Sequence, residues 1–345
     1  MSINRTLIIF GVIAIIAILG GYFLLDMVQP EEKVMLKVFH AGSLTVPFGR
    51  IEERFEEDHT GVDVLLEPAG SVQCVRKVTE LGKVADVVTS ADYSLIPNMM
   101  MPDYAEWYIL FARNEMTIAY TSSSKYSDEI DADNWYEILN RSDVKWGFSN
   151  PNLDPCGYRT LMVVQLSELV YGEGAIFENL VQDHCAITVS ESDGEYIIKS
   201  NIEDLNPNTY KITIRDKEVE LVSLLQAGGI DYAFEYSSVA KQHNLKYLDL
   251  PTAIDLSDIG YTETYNRVIV EKTSGNSIGK PIVYGVTIPD NAENPDLAEE
   301  FVLYLLNEDG RQTFEELGQP PITPGIMSDL DLVPESLKPY LSEGS

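Results

Sequence analysis

The residues in this chain best suited to chemistry are oxygen donors set in loops of small residues. Ala-Gly-Ser occurs twice, at residues 41–43 and 69–71, and residues 149–159 read SNPNLDPCGYR. Each Ala-Gly-Ser follows a strand-like run and precedes a helix-like one. In an open α/β sheet such loops lie at the carboxyl ends of strands, beside helix N-termini rich in free backbone N–H groups. Ser43 and Ser71 are therefore candidate donors to an anion, although Gly-Ser is also ordinary loop and N-cap material. Within the third motif Asp154, Pro155 and Gly157 satisfy turn chemistry: an acid that bonds its own backbone, a ring that fixes one dihedral, and a residue without Cβ. Asp154 either closes that turn, capping the helix that follows, or is held out to a ligand. A second acid, Glu235, ends the strand-like run IDYAFEY and is followed by Tyr236. Tyrosine there is also ordinary amphipathic packing material.

Other chemistries have less support. His40, His59, His184 and His243 lack metal-ligand spacing, and no His-Glu-x-x-His or Walker-type motif is present. Cys74, Cys156 and Cys185 show no Cys-x-x-Cys spacing and permit at most one intramolecular disulfide. Packing as small buried hydrophobes suits them equally well.

The elements that must position these residues follow from periodicity. VMLKVF and GVDVLLEP read as strands, and so does ADVVTSAD. Between them lie helices with Phe48, Ile51 and Phe55 on one face and Val75, Val78 and Leu81 on the next. This β-α-β-α-β order predicts a parallel sheet covered by helices. The stretch WYILFARNEMTIAYT predicts a crossing into a second unit. That unit would hold the helix NWYEIL, the DPCGYR turn with its helix, a polar excursion over residues 187–214 read as surface elaboration, and IDYAFEY. The run PIVYGVTIP then returns, and two helices close the chain. Two lobes with a ligand cleft between them are the expected result.

Composition narrows the partners. The chain has 345 residues, 45% of them apolar, with 24 basic against 55 acidic residues for a net charge of -31. Such a field opposes nucleic acid and anionic lipid. Residues 6–25 carry no charge and are long enough for one membrane span of about 30 Å. Arg5 precedes them, whereas Asp26, Glu31 and Glu32 follow, so the bulk of the chain is expected outside the cytoplasm. The span is either a retained anchor or a cleaved signal. The expected division is residues 1–33 as anchor or signal and linker, 34–117 as the first part of lobe I, 118–284 as lobe II, and 285–345 as a return to lobe I.

Taken in order, HAGSL, AGSV, ADVVTSAD, SNPNLDPCGYR, DYAFEYSSVAKQH and YGVTIP give the chain more than its periodicity shows. Over about residues 34–324 it resembles the archaeal molybdate/tungstate-binding proteins of ABC importers. The resemblance implies a type II periplasmic-binding-protein-like fold, two α/β lobes joined by a hinge. It further implies a monomeric receptor without a cofactor that hands tungstate or molybdate to a membrane permease. It places oxyanion contacts on Ser43, Ser71, Cys156 (through its amide) and Tyr236, and makes Asp154 and Glu235 oxygen ligands of the tungsten or molybdenum centre.

That assignment answers an electrostatic objection. A carboxylate and a dianion about 4 Å apart repel by roughly 8 kcal/mol at an effective dielectric of 20. Direct bonding to a high-valent metal centre reverses this logic, because the metal is the largest local charge. Sulfate and phosphate cannot expand their coordination in that way. A receptor for those two anions is one rival reading, and a hydrolase using Asp154 and Glu235 as acid and base is another.

Overall fold

The computed structural model describes residues 33–327 and 330–343. The charge-free segment at residues 6–25 lies outside the described residues, and no helix among those described is long and apolar enough to cross a membrane.

Three strands at the start of the described chain, Val34–Ala41, Val62–Ala69 and Val87–Ser90, lie in parallel within a seven-stranded sheet. Helices Thr45–Asp58 and Ser71–Thr79 connect them, as the β-α-β-α-β pattern requires. The strand Ile109–Asn114 joins the same sheet, and the chain then passes across Glu115 into Met116–Tyr120 of a five-stranded sheet. It returns through Lys280 and Pro281 to Ile282–Thr287, an antiparallel neighbour of both Val87–Ser90 and Ile109–Asn114. These adjacent crossings make two lobes joined by a double hinge. Helices Pro295–Leu306 and Glu308–Glu316 cover lobe I, where Phe301 and Phe314 meet Phe48 edge-on at centroid distances of 5.9 and 6.4 Å.

In lobe II the strand Tyr232–Tyr236 lies between Met116–Tyr120, antiparallel, and Trp146–Ser149, parallel. All five of its residues are buried. The helix Pro155–Tyr171 packs on this sheet and is buried through its first thirteen residues. It has no polar face because Val268–Lys272, part of a separate four-stranded sheet, covers its other side.

That third sheet corrects the reading of residues 187–214 as surface elaboration. Strands Thr188–Ser192 and Glu195–Lys199 pair with each other, and the second pairs in parallel with Val268–Lys272, with Ile198 and Val270 fully buried. Ile212–Arg215 belongs to the five-stranded sheet. The strands look polar because the outer pair is half solvated.

Candidate functional site

Strand register brings the two serine loops together. Val34–Ala41 and Val62–Ala69 pair in step from Val34↔Val62 to Ala41↔Ala69, so both Ala-Gly-Ser motifs leave the sheet at the same level. Ser43 sits in the short 3-10 turn Gly42–Leu44, Ser71 opens helix Ser71–Thr79, and both are buried. Each hydroxyl accepts one hydrogen bond from the protein: Ser43 Oγ from the Tyr284 hydroxyl at 3.0 Å, Ser71 Oγ from the Ala91 amide at 2.9 Å. Neither donates to an acceptor among the described residues, so both protons are free for a ligand.

Tyr236 is prepared in the same way. Its hydroxyl accepts from Arg159 Nη1 at 2.8 Å, and the same nitrogen donates to the Ala91 carbonyl at 2.8 Å. Arg159 thus ties the Ser71 loop to the end of strand Tyr232–Tyr236. Tyr284 closes the circuit from the other side, donating to Ser43 while accepting from Asn114 Nδ2 at 2.7 Å and from Gln319. Burial raises the Tyr236 hydroxyl well above its ordinary range even with Arg159 beside it, so it remains a donor.

Opposite these donors stand three buried acids. Asp154 caps helix Pro155–Tyr171: Oδ1 accepts from the Cys156 amide at 3.3 Å, and Oδ2 from the Glu218 amide at 2.9 Å. Turn closure is therefore part of its role, and the Cys156 amide is directed to Asp154. Gly157 is required by close approach rather than by an unusual dihedral, since a Cβ there would collide with the Ser149 carbonyl. Gly70 is similar, as a Cβ would run into the Leu153 carbonyl and lie 3.2 Å from Asp154 Cβ. The Asp154 turn is pressed against the Ser71 loop.

Glu235 differs from Asp154. It is fully buried, and neither carboxylate oxygen has a hydrogen-bond partner among the described residues. Burial and the charge of Asp154 raise it well above the carboxylate range. The third acid, Glu218, is buried against Gly42 of the opposite lobe, where a Cβ would lie 2.9 Å from its Oε1, and its Oε2 has no partner. It too is raised well above the usual range, by burial first and then by Asp154. Sequence reading missed Glu218 because an acid at the start of a helix is ordinary dipole complementarity. The available signal was its position at the carboxyl end of a strand, like Glu235.

The remaining candidates are structural. Cys74, Cys156 and Cys185 are separate thiols, and burial pushes Cys74 up to about 12 and Cys185 to about 11. His40 is buried and lowered to about 4 by desolvation, so it is neutral. Residues 275–279 spell Gly-Asn-Ser-Ile-Gly, the spacing of a nucleophile elbow. Ser277 lies inside the antiparallel strand Gly275–Ile278, not at a strand-to-helix turn, so the match carries no nucleophile.

A two-lobed chain with converging loops at its cleft is the architecture of a solute receptor, and comparison places it in one family. The chain belongs to the bacterial extracellular solute-binding proteins, whose family model matches residues 36–318. An uncharacterized solute-binding protein of Methanoculleus marisnigri is 54% identical over 297 residues, covering 85% of this chain and 83% of that protein. The molybdate/tungstate-binding protein WtpA of Pyrococcus abyssi is 45% identical over 317 residues, covering 89% of this chain and 90% of its own length. Among solved structures, the periplasmic molybdate-binding protein of Azotobacter vinelandii shares the fold with a TM-score of 0.58. It covers 82% of this chain and 98% of its own, at 15% identity. The fold is thus the type II binding-protein arrangement expected from the motifs. The chain is a solute-binding protein acting outside the cytoplasm, not an enzyme.

Proposed function

We propose that this protein captures tungstate or molybdate between its lobes and delivers it to the membrane permease of an ABC importer. The observation that carries the reading is Glu235, a fully buried carboxyl group with two unpartnered oxygens at the end of a central strand. Leaving such a group unsatisfied costs about 1–3 kcal/mol or more, so its retention calls for a partner that arrives with the ligand. A high-valent metal centre is such a partner, and the 45%-identical WtpA carries that specificity in its name.

In this reading Glu235 and Asp154 each give an oxygen to the metal centre. Ser43, Ser71 and Tyr236 donate their free O–H protons to the oxo groups, and the Cys156 amide lies beside them. Lobe I supplies the serines and lobe II the acids and the tyrosine, so every full set of contacts requires closure. Ligand contacts made only in the closed form shift the equilibrium toward it. The permease then reads the closed shape. The chain works as a monomer, held at the outer face of the membrane by the segment at residues 6–25 or released after its cleavage.

Isothermal titration with tungstate, molybdate, sulfate and phosphate tests the reading. Tight binding of the first two and weak binding of the others is expected, together with six oxygen neighbours around tungsten by X-ray absorption. Equal affinity for sulfate would overturn direct coordination.

A further inference from the structure

A second cavity lies between the lobes, away from the acids. It has a volume of about 240 Å³ and is bounded by residues 92–99 of lobe I and by the hairpin of strands Val268–Lys272 and Gly275–Ile278. None of Asp154, Glu218 and Glu235 lines it. We propose that this cavity is a binding site for a small organic carboxylate, with Lys272 as its anchoring cation.

Lys272 carries the argument. Only 6% of the residue is exposed, and its Nζ makes no hydrogen bond or ion pair among the described residues. Its Nζ lies 4.2 Å from the centroid of the Tyr158 ring, which offers a π face but no acceptor for the three N–H groups. Burial pushes this amine down only to about 8, so it is still charged at neutral pH. An ammonium on so buried a side chain is expected to have hydrogen-bond acceptors or a close counter-charge, and here Asp92 acts on it only from a distance. Asp92, the nearby acid on the same wall, is already bound to Lys280 at 3.0 Å and to the Tyr158 hydroxyl at 2.6 Å. Beside Lys272, the Ser274 hydroxyl is also buried without a partner. One ammonium without a hydrogen-bond acceptor and one hydroxyl without a partner, both among the described residues, line the same cavity.

The rest of the wall selects the ligand class. Leu95, Met99 and Ile278 give the cavity an apolar side, which a bare inorganic oxyanion would leave unused. A carboxylate with a short carbon chain satisfies Lys272 and Ser274 at one end and covers apolar surface at the other. The volume is below the ~300–1,000 Å³ of sites for drug-sized ligands, in keeping with a small acid. Because its walls come from both lobes, an acid bound there adds to the closed form.

The test is calorimetric titration of tungstate-loaded protein with succinate, the oxyanion cleft being occupied. Saturable one-site binding is expected, weakened at least about tenfold (1.4 kcal/mol) by Lys272→Met with tungstate affinity retained. Ile278→Glu, at an exposed position on the wall, should weaken succinate by repulsion without disturbing the fold. Absence of saturable binding at millimolar succinate, or equal binding by wild type and Lys272→Met, overturns the proposal. Equal affinity for sulfate on the loaded protein overturns the carboxylate assignment. The site does not depend on the oxyanion reading: Glu235→Ala protein without tungstate should bind succinate as tungstate-free wild type does, whatever happens to its tungstate binding.

Discussion

Two sets of buried carboxylates straddle the lobe interface, and they are treated in opposite ways. Asp92, just beyond strand Val87–Ser90, is surrounded by donors: Lys280 at 3.0 Å, the Tyr158 hydroxyl at 2.6 Å, and the Ser94 amide and hydroxyl at 3.0 and 2.7 Å. Burial alone would raise it, but Lys280 and Arg159 together with these hydrogen bonds hold it far below the usual carboxylate range. Glu235, equally buried, has no donor and is raised well above that range. Asp154 is intermediate, with a backbone N–H for each oxygen but no cation. The difference teaches what each group is for. Asp92 is complete and ties lobe I to the helix Pro155–Tyr171 and the return crossover, whereas Glu235 is, in the proposed reading, completed by the ligand.

The sharpest way to break this comparison is to delete the complete acid. Asp92→Ala leaves Lys280 without its partner and Tyr158 without its acceptor. It should lower unfolding stability by about 3 kcal/mol, the scale of breaking a buried pair, as read by urea denaturation. A negligible change would mean that the Asp92 contacts are ornamental. Glu235→Ala should do the reverse, leaving the ligand-free melting temperature unchanged or higher while tungstate affinity falls at least about 100-fold, or ~2.7 kcal/mol. Equal tungstate titration curves for wild type and Glu235→Ala would remove the distinction between the two regions.

Acidity sharpens the same contrast. The folded pKa values of Glu218 and Glu235 lie above their unfolded values. Their contribution to stability is thus fully present below the ordinary carboxylate pKa of about 4 and is lost as pH rises through the folded values. Asp92, shifted downward, contributes fully above the unfolded value and loses its contribution only as pH falls toward its folded one. Ligand-free protein should therefore melt at lower temperature as pH rises from about 5 to 8, Glu218→Gln should flatten that slope, and Asp92→Asn should leave it in place. A slope unaltered in Glu218→Gln counts against the raised acid.

Smaller effects belong to the donors. Ser71→Ala removes one O–H and the acceptor of the Ala91 amide, so tungstate affinity should fall about tenfold, or ~1.4 kcal/mol, by calorimetry. Cys156→Ser keeps the backbone amide and should change tungstate affinity by less than about twofold, below the ~1 kcal/mol of one hydrogen bond.

Much of the lobe I design was legible in the chain. The alternation of strand and helix around residues 34–92 is local, and the repeated Ala-Gly-Ser marked two loops that strand register does bring to the same level. The carboxyl-bearing motifs at Asp154 and Glu235 were visible as well, through the order in which they occur. The third sheet was not, since Glu195–Lys199 pairs with Val268–Lys272, and no periodicity in either segment names the other. Glu218 and Arg159 were passed over for a related reason, because their roles come from contacts with Gly42, Ala91 and Tyr236, all distant in sequence.

By itself the sequence determined which groups this protein could offer: serines at helix starts, an acid in a proline turn, an acid at a strand end, and 55 acidic residues against 24 basic ones. Residue type and local geometry fix those choices. Only the tertiary structure decided which acids would be answered and which left open. Desolvation and pairing depend on what distant segments bring within hydrogen-bond reach: the return crossover brought Lys280 to Asp92, but among the described residues no donor reaches Glu235.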